Sequence, residues 1–267
     1  MFEYWLARWR LTPDGEAFAT AFGSHLMPVR QAGAAAMLKI AFGAEERLGA
    51  ALMEWWAGDG AARVLAHEDP ALLLERALGA RSLAAMARGA DDDEATRILG
   101  AAAAGLHRPR ALRPPASLVP LPVWFRALPA SAQKRGGVFA AAWSTAQGLL
   151  ASARDVVPLH GDLHHGNVLD FGPRGWLAID PKGLIGERGY DYVGMVCNPD
   201  IETAGAPGAL MRRSAILCAQ AGLEMRRHLQ WVLAYAGLSA TWTLDSGGEA
   251  TPAITLAELA ARELAAL

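Results

Sequence analysis

Along the first third of the chain, apolar and polar positions come in short runs. Gly15 to Phe22 alternates and ends at Gly23-Ser24, His25 to Gln31 resumes, and Ala34 to Phe42 is a third run. Glycine, serine and glutamine turn signals separate them, which predicts an antiparallel meander. Leu48, Leu52 and Trp55-Trp56 then recur at helical spacing, so a helix is expected over 45–56, stopped by Gly58-Asp59-Gly60. Arg63 to His67 and Ala71 to Leu74 read as further strands turned by Asp69-Pro70. The expectation for this region is a sheet of short strands with one helix.

After Gly79 the period changes to that of helices. Asp91 to Leu106 opens with acidic residues, and Asp91 and Glu94 stand at capping-box spacing. Ser131 to Ala151 places Phe139, Trp143, Ala146 and Leu150 on one face. Met225, Leu229, Val232 and Ala236 repeat that pattern, as do Leu256, Leu259, Ala260 and Leu264. Pro109 to Pro122 reads as a surface linker. Between the helices, Val156 to Leu159 is a short strand, and 167–171 and 176–179 form a hairpin around Pro173-Arg174-Gly175. The pattern is α+β: a small sheet-rich lobe over 1–78 and a mainly helical lobe over 79–267.

Composition narrows the function classes. Of 267 residues, 52% are hydrophobic, enough for a substantial core, and the net charge of −2 supplies no basic field for a nucleic-acid partner. Cys197 and Cys218 lack zinc-site spacing and read as buried thiols of a reducing compartment. The start of the chain has no signal-peptide apolar region, and the longest uncharged apolar stretch, Trp231 to Leu244, is shorter than the roughly 20 residues of a membrane helix. A soluble, cytoplasmic protein without a membrane partner is expected. The tryptophans read as core or lobe-interface packing.

The chemistry concentrates in His160-Gly161-Asp162-Leu163-His164-His165-Gly166-Asn167, followed by Ile179-Asp180. Phosphoryl transfer needs one carboxylate to orient a hydroxyl and take its proton, and oxygen ligands to hold Mg²⁺ against phosphates. Asp162 suits the first task. Asn167, at the far end of the same loop, and Asp180, brought beside it by the hairpin, suit the second. His164 and His165 are adjacent, so they cannot form the spaced pair of a zinc site. Lysine is scarce, at positions 39, 134 and 182. Lys39 sits among apolar residues, where an ammonium is costly without an anion; it binds phosphate or snorkels to water. Lys182 follows Asp180 and can help neutralise phosphate. No GxGxxG or P-loop motif is present.

The H-x-D-x-x-x-x-N pattern with a later apolar-Asp resembles the catalytic and metal loops of protein-kinase-like phosphotransferases. Gly161 where protein kinases carry arginine, and Ile179-Asp180-Pro181 for Asp-Phe-Gly, point to the aminoglycoside and choline kinase branch. LHGDLHHGNVLDFG, RGWLAIDPKGLIGERGYDY and CNPD look like the aminoglycoside 6-phosphotransferases, the streptomycin kinases grouped with hydroxyurea phosphotransferases. The similarity extends through MLKIAF, WWAGDGAARVLA and LLLERALG over nearly the whole chain.

This resemblance implies a bilobal protein-kinase-like fold, use of ATP or GTP with Mg²⁺, and monomeric action on a small aminoglycoside. Lys39 would bind the α/β-phosphates, paired to Glu45 or Glu46; the spacing leaves that choice open. The backbone of Glu75 and Ala77 would hold the purine edge, and Ser24, with Gly23 and His25, would cover the phosphates. His160 would brace the catalytic loop, and Asp191 would hydrogen-bond its backbone. Streptomycin carries guanidinium groups, which call for carboxylates; Glu187, Asp200 and Glu202 follow the metal loop and are the candidates, each also readable as a surface acid. The expected activity is phosphorylation of the 6-hydroxyl of streptomycin. Alternatives are a kinase of another small compound such as hydroxyurea, an inactive nucleotide-binding protein and, last, a metallohydrolase built on the histidines.

Overall fold

The computed structural model describes residues 1–20 and 23–267, without the side chains of Ala44 and Glu45. The chain opens with α1 (Phe2–Arg8) and continues into β1 (Leu11–Pro13), β2 (Phe18–Ala19), β3 (His25–Gln31) and β4 (Ala34–Ile40). After α2 (Ala44–Trp56) come β5 (Val64–Glu68) and β6 (Ala71–Glu75). These strands form one sheet of order β1-β3-β4-β6-β5, with β2 also on β3; the pairings are antiparallel, and β5 shifts register against β6 between Val64 and Ala66. Ala32 and Gly33, both at positive φ (48° and 83°), close the β3–β4 hairpin as the right-handed strand twist favours.

Alternation along β4 sets the position of Lys39. Ala36, Leu38 and Ile40 are fully buried, and pack with Trp5, Leu11, Val29, Ala71 and Leu73. Lys39 therefore projects from the opposite face. Trp5 sits on α1, an element that the hydrophobic pattern of the first residues did not predict. The expected strand over 15–22 shortens to Phe18–Ala19, and its end at Ala21 and Phe22 lies outside the described residues.

The remainder is mainly helical: α3 (Leu83–Arg88), α4 (Asp92–Leu106), α5 (Leu121–Trp124), α6 (Leu128–Arg135), α7 (Gly137–Ala151), α8 (Val193–Cys197), α9 (Ile201–Ala204), α10 (Ala209–Ala221), α11 (Met225–Asp245) and α12 (Thr251–Ala266). Short strands β7 (Val119–Pro120), β8 (Val156–Leu159), β9 (Val168–Asp170), β10 (Trp176–Ala178) and β11 (Leu184–Glu187) carry the site. The helix expected over 131–151 is two helices, because Gly136 and Gly137 both take positive φ (64° and 51°). The supposed linker over 109–122 holds β7, which pairs in parallel with β11. Asp91 stands at the N-cap of α4 without a capping side-chain bond. Its neighbour Asp92 instead binds the fully buried Arg213 of α10 through Nε and Nη2, at 3.0 and 2.7 Å.

One large core joins the two regions. Leu52, Met53 and Trp56 of α2 pack in the same cluster as Leu163, Val168, Tyr190, Trp231 and the inner residues of α4, α7 and α11. The β9–β10 hairpin is tied to the segment after α2: Ala62 N–H donates to the Ala178 carbonyl (2.9 Å), and Ala178 N–H to that of Gly60 (3.0 Å). Trp231 to Leu244, the apolar stretch, is the buried body of α11, and among the described residues no helix is long and apolar enough to cross a membrane.

Candidate active site

The catalytic loop begins where β8 ends. Backbone N–H groups of His160 and Gly161 donate to the two oxygens of Asp191, at 2.9 and 2.7 Å. The Asp191 carboxylate also meets His107 Nε2 at 2.8 Å, and its side chain is wholly buried. The His160 ring lies 2.8 Å through Nε2 from the Ile179 carbonyl, and its Nδ1 accepts the Asp162 N–H at 3.2 Å. Burial pushes this imidazole below its ordinary value, against the pull of Asp191 and Asp162. One neutral tautomer, protonated at Nε2, satisfies both bonds. Gly161 at φ 82° makes the bend, and a Cβ there would stand 2.7 Å from Leu184.

These bonds present Asp162 at the loop surface, its side chain 29% exposed. One carboxylate oxygen lies 3.8 Å from His164 Nε2 and the other 3.8 Å from Lys182 Nζ. Asn167 Nδ2 donates to the Asp162 carbonyl at 2.8 Å, which locks the two ends of the loop together. Ile179 N–H donates to the Asn167 carbonyl at 2.9 Å, so the hairpin sets Asp180 beside Asn167 as the spacing predicts. Asp180 itself holds a left-handed φ of 61°, a conformation uncommon for most side chains but tolerated by aspartate.

Lys39 reaches across from β4. Its ammonium binds both Glu46 of α2 and Asp180. Burial pulls Lys39 down, but the two carboxylates outweigh it and hold the group above its ordinary value, fully charged. Burial pushes Asp180 up, and the charges of Lys39, Lys182 and His160 overcome it, leaving this carboxyl below its ordinary range. Of the two glutamates left open by spacing, Glu46 pairs with Lys39; the side chain of Glu45 lies outside the described residues. Ser24 is buried, and its hydroxyl donates to the other Glu46 oxygen at 3.1 Å, tying the β2–β3 turn to α2.

At the end of β6, between β4 and β5 in the sheet, the Glu75 N–H donates to the Arg63 carbonyl (3.0 Å). Its carboxylate is taken by Arg174 and by the Arg63 N–H. Ala77 N–H has no hydrogen-bond partner among the described residues.

The acidic residues expected at the acceptor fare differently. Glu187 is buried and accepts from Arg227 Nε (2.6 Å), Trp231 Nε1 (2.9 Å) and the Arg154 N–H (3.0 Å). With both oxygens so engaged it clamps β11 to α11, and it is not free to meet a cationic ligand. Asp200 caps α9 through the Thr203 N–H and hydroxyl and pairs with Arg88, bonds that hold its carboxyl at about 2. Glu202 is exposed on α9.

Two features escaped the sequence reading. His107, at the end of α4, supports Asp191, and no local motif announces it. A cavity of about 310 Å³ lies between α11 and α12, lined by Cys197, Asn198, Tyr235, Ser239, Thr243 and Glu249, among others. It adjoins the catalytic loop through α8, where a Cβ on Gly194 would stand 2.6 Å from the Leu163 carbonyl. Burial and then the nearby charge of Asp162 push the Tyr235 phenol well up.

The chain has relatives along most of its length. The profile of the family described as aminoglycoside/hydroxyurea antibiotic resistance kinase matches residues 8–247. A streptomycin 3''-kinase of Klebsiella pneumoniae is 50% identical over 247 residues, covering 91% of this chain and 92% of the relative. A streptomycin 6-kinase of Streptomyces glaucescens is 33% identical over 275 residues, covering 95% and 86%. An aminoglycoside phosphotransferase solved with ADP and hygromycin B superposes with a TM-score of 0.62 over 99% of this chain and 96% of that one, at 12% identity, a likeness of fold. A kinase-like fold, a loop that leaves one carboxylate partly exposed, and a family match along most of the sequence lead to one assignment: the chain belongs to the aminoglycoside/hydroxyurea antibiotic resistance kinases.

Proposed function

We propose that this protein transfers the γ-phosphoryl group of ATP to the 3''-hydroxyl of streptomycin. The observation that carries the phosphotransferase part is the gathering of Asp162, Asn167, Asp180 and Lys39 from three separate stretches of chain through direct bonds and one hairpin. An inactive nucleotide-binding protein has no physical need for all four. For the substrate, support comes from the relatives. The sequence reading favoured the 6-hydroxyl, but the relative named a 3''-kinase is 50% identical, against 33% for the 6-kinase, and this difference moves the proposed acceptor.

The chain's own residues divide the work. Asp162 accepts the hydrogen bond of the acceptor hydroxyl, orients it, and takes its proton as the oxygen–phosphorus bond forms. Lys39, held by Glu46, meets the phosphate tail of the nucleotide. The Glu75 carbonyl and Ala77 N–H face the purine edge. The cavity between α11 and α12 receives the acceptor, and Glu249 at its rim and Glu202 on α9 suit a cationic ligand. Asn167 and Asp180 suit Mg²⁺: they offer hard oxygen donors, and Asn167 Oδ1 takes no hydrogen bond among the described residues. Bound there with the nucleotide, Mg²⁺ neutralises phosphate charge.

Incubation with Mg-ATP and streptomycin, followed by mass spectrometry and phosphorus–proton NMR of the product, tests this reading. One added phosphate on the 3'' position is expected. Phosphate at the 6 position would restore the first expectation, and no phosphorylated product would remove streptomycin and turn the search to hydroxyurea.

A further inference from the structure

A phosphoryl group in flight spreads negative charge over its three equatorial oxygens, midway between the acceptor and the nucleotide. Lys39 stands on the nucleotide side of Asp180, engaged by Glu46 and Asp180. The acceptor side of Asp180 holds a second lysine. The Lys182 N–H donates to the His160 carbonyl at 2.7 Å, which fastens this residue to the strand end just ahead of Asp162. Its stem crosses Gly161, where a Cβ would stand 3.2 Å from Lys182 Cβ. Its ammonium lies 3.8 Å from the Asp162 carboxylate, with the side chain 22% exposed. Lys182 thus lies near the carboxylate proposed to face the acceptor and two residues along the chain from the one proposed to face the nucleotide.

The loop that carries it is held firmly. A Cβ on Gly183 would stand 2.8 Å from the Leu48 backbone, and one on Gly49 would stand 2.2 Å from the Pro181 carbonyl oxygen. Helix α2 therefore packs directly on Pro181 and Gly183, on either side of the lysine. A flexible surface lysine would not be fixed in this way.

We infer that Lys182 is a catalytic residue whose ammonium contacts the transferred phosphoryl group between Asp162 and Asp180 and neutralises its equatorial oxygens. The inference rests on the phosphotransferase reading but not on the identity of the acceptor. In the step it serves, the acceptor oxygen–phosphorus bond forms, the bond from phosphorus to the β,γ-bridging oxygen breaks, the hydroxyl proton passes to Asp162, and ADP leaves with the bridging oxygen. Lys182 keeps its proton throughout. The competing role is that of a prop, holding Asp162 in place by their ion pair without touching phosphate.

Lys182→Met and Lys182→Arg separate these roles. With Mg-ATP and streptomycin, Lys182→Met should lower kcat by about 100-fold, the loss typical of one transition-state donor, with KM for both substrates within about threefold. Lys182→Arg should retain an intermediate rate. The rate ratio between ATP and its γ-thio analogue should shrink in Lys182→Met, because the lost contact is to a γ-oxygen. Calorimetry with ADP, Mg²⁺ and aluminium fluoride should show weaker binding of this planar phosphoryl mimic in Lys182→Met, with binding of ADP alone and the melting temperature unchanged. An unchanged thio ratio with unchanged aluminium fluoride affinity would overturn the inference and leave the prop role, as would a kcat within threefold of wild type. If streptomycin is not an acceptor, the slow hydrolysis of Mg-ATP to water reads the same loss, so failure of the substrate reading stays distinct. Wild-type protein that neither hydrolyses ATP nor binds the mimic would overturn both.

Discussion

Asp162 and Asp191 lie on either side of the same catalytic strand end and have opposite fates. Asp191 is wholly buried and meets three donors, the N–H groups of His160 and Gly161 and the ring of His107. Asp162 is partly exposed and keeps its oxygens 3.8 Å from two cationic or protonatable groups, His164 and Lys182. The burden of each residue follows from that contrast. Asp191→Ala strands buried donors and should cost about 3–5 kcal/mol of stability, read as a fall in the denaturant midpoint. Asp162→Ala leaves no buried donor unmet except the weak 3.5 Å approach of Asn167 Nδ2. It should fold with a near-wild-type midpoint and bind ADP normally, while turnover falls by a factor of about 10²–10⁴. Near-normal turnover in Asp162→Ala would take the base role away from this residue. The sequence held both carboxylates: the loop motif singled out Asp162, and the family resemblance implied the backbone bonds of Asp191 that the structure contains. The motif was silent about His107, because a support that arrives from the end of another helix leaves no local pattern.

At the scale of elements, the contact between α2 and the loop after Asp180 joins the lysine of β4 to the carboxylate of the hairpin. Gly49 makes this possible. It lies inside a helix, where glycine costs about 1 kcal/mol relative to alanine, so helix propensity alone says that Gly49→Ala should stabilise the protein. The packing says the reverse, since the added methyl would meet the Pro181 carbonyl oxygen at 2.2 Å. Gly49→Ala should therefore lower the melting temperature and kcat together, because α2 carries Glu46 and must move away from the segment that carries Asp180 and Lys182. A more stable, fully active Gly49→Ala protein would show that α2 is not seated as described. Hydrophobic periodicity made most of these elements readable: β3 has the bounds that its turn signals gave, and the hairpin that returns Asp180 to Asn167 stands where it was expected. Elements without a clean period were harder. Trp5 and Leu6 of α1 come in a stretch too short to show a helical stripe, and β11 is buried on both faces and so lacks alternation. Glu187, at the end of β11, looked like an acceptor-side acid because it follows the metal loop. Its partners Arg227 and Trp231 lie some forty residues away on α11, and sequence spacing does not bring them together.

At the scale of the whole molecule, buried ionisable groups set how the fold responds to acid. Asp92 and Glu187 are pushed up by burial and pulled further down by their arginine partners, so each carboxyl ends below its ordinary value. A depressed carboxyl adds stability above its unfolded pKa of roughly 4, and that contribution is lost as the pH falls through the folded value. These pairs therefore protect the protein down to strongly acidic conditions. One acid weakness lies elsewhere, at His228 in the first turn of α11. Its side chain is 1% exposed, neither ring nitrogen has a hydrogen-bond partner among the described residues, and burial pushes it down to about 4. A cation there would also oppose the positive end of the helix dipole. The unfolded chain binds a proton at His228 below its ordinary 6.5, whereas the folded chain refuses it until about 4. The neutral ring's stability is thus complete above 6.5 and declines by about 3 kcal/mol as the pH drops to 4. His228→Leu removes the titration and two unsatisfied nitrogens while it keeps the apolar contacts. Its melting temperature should match or exceed that of the wild type at pH 7.5, and the gap between the two should widen steadily as the pH is lowered from 6.5 to 4. Parallel melting curves for the two proteins across that range would show that His228 is solvated in the folded state, and the acid response would then have to arise from the histidines of the catalytic loop.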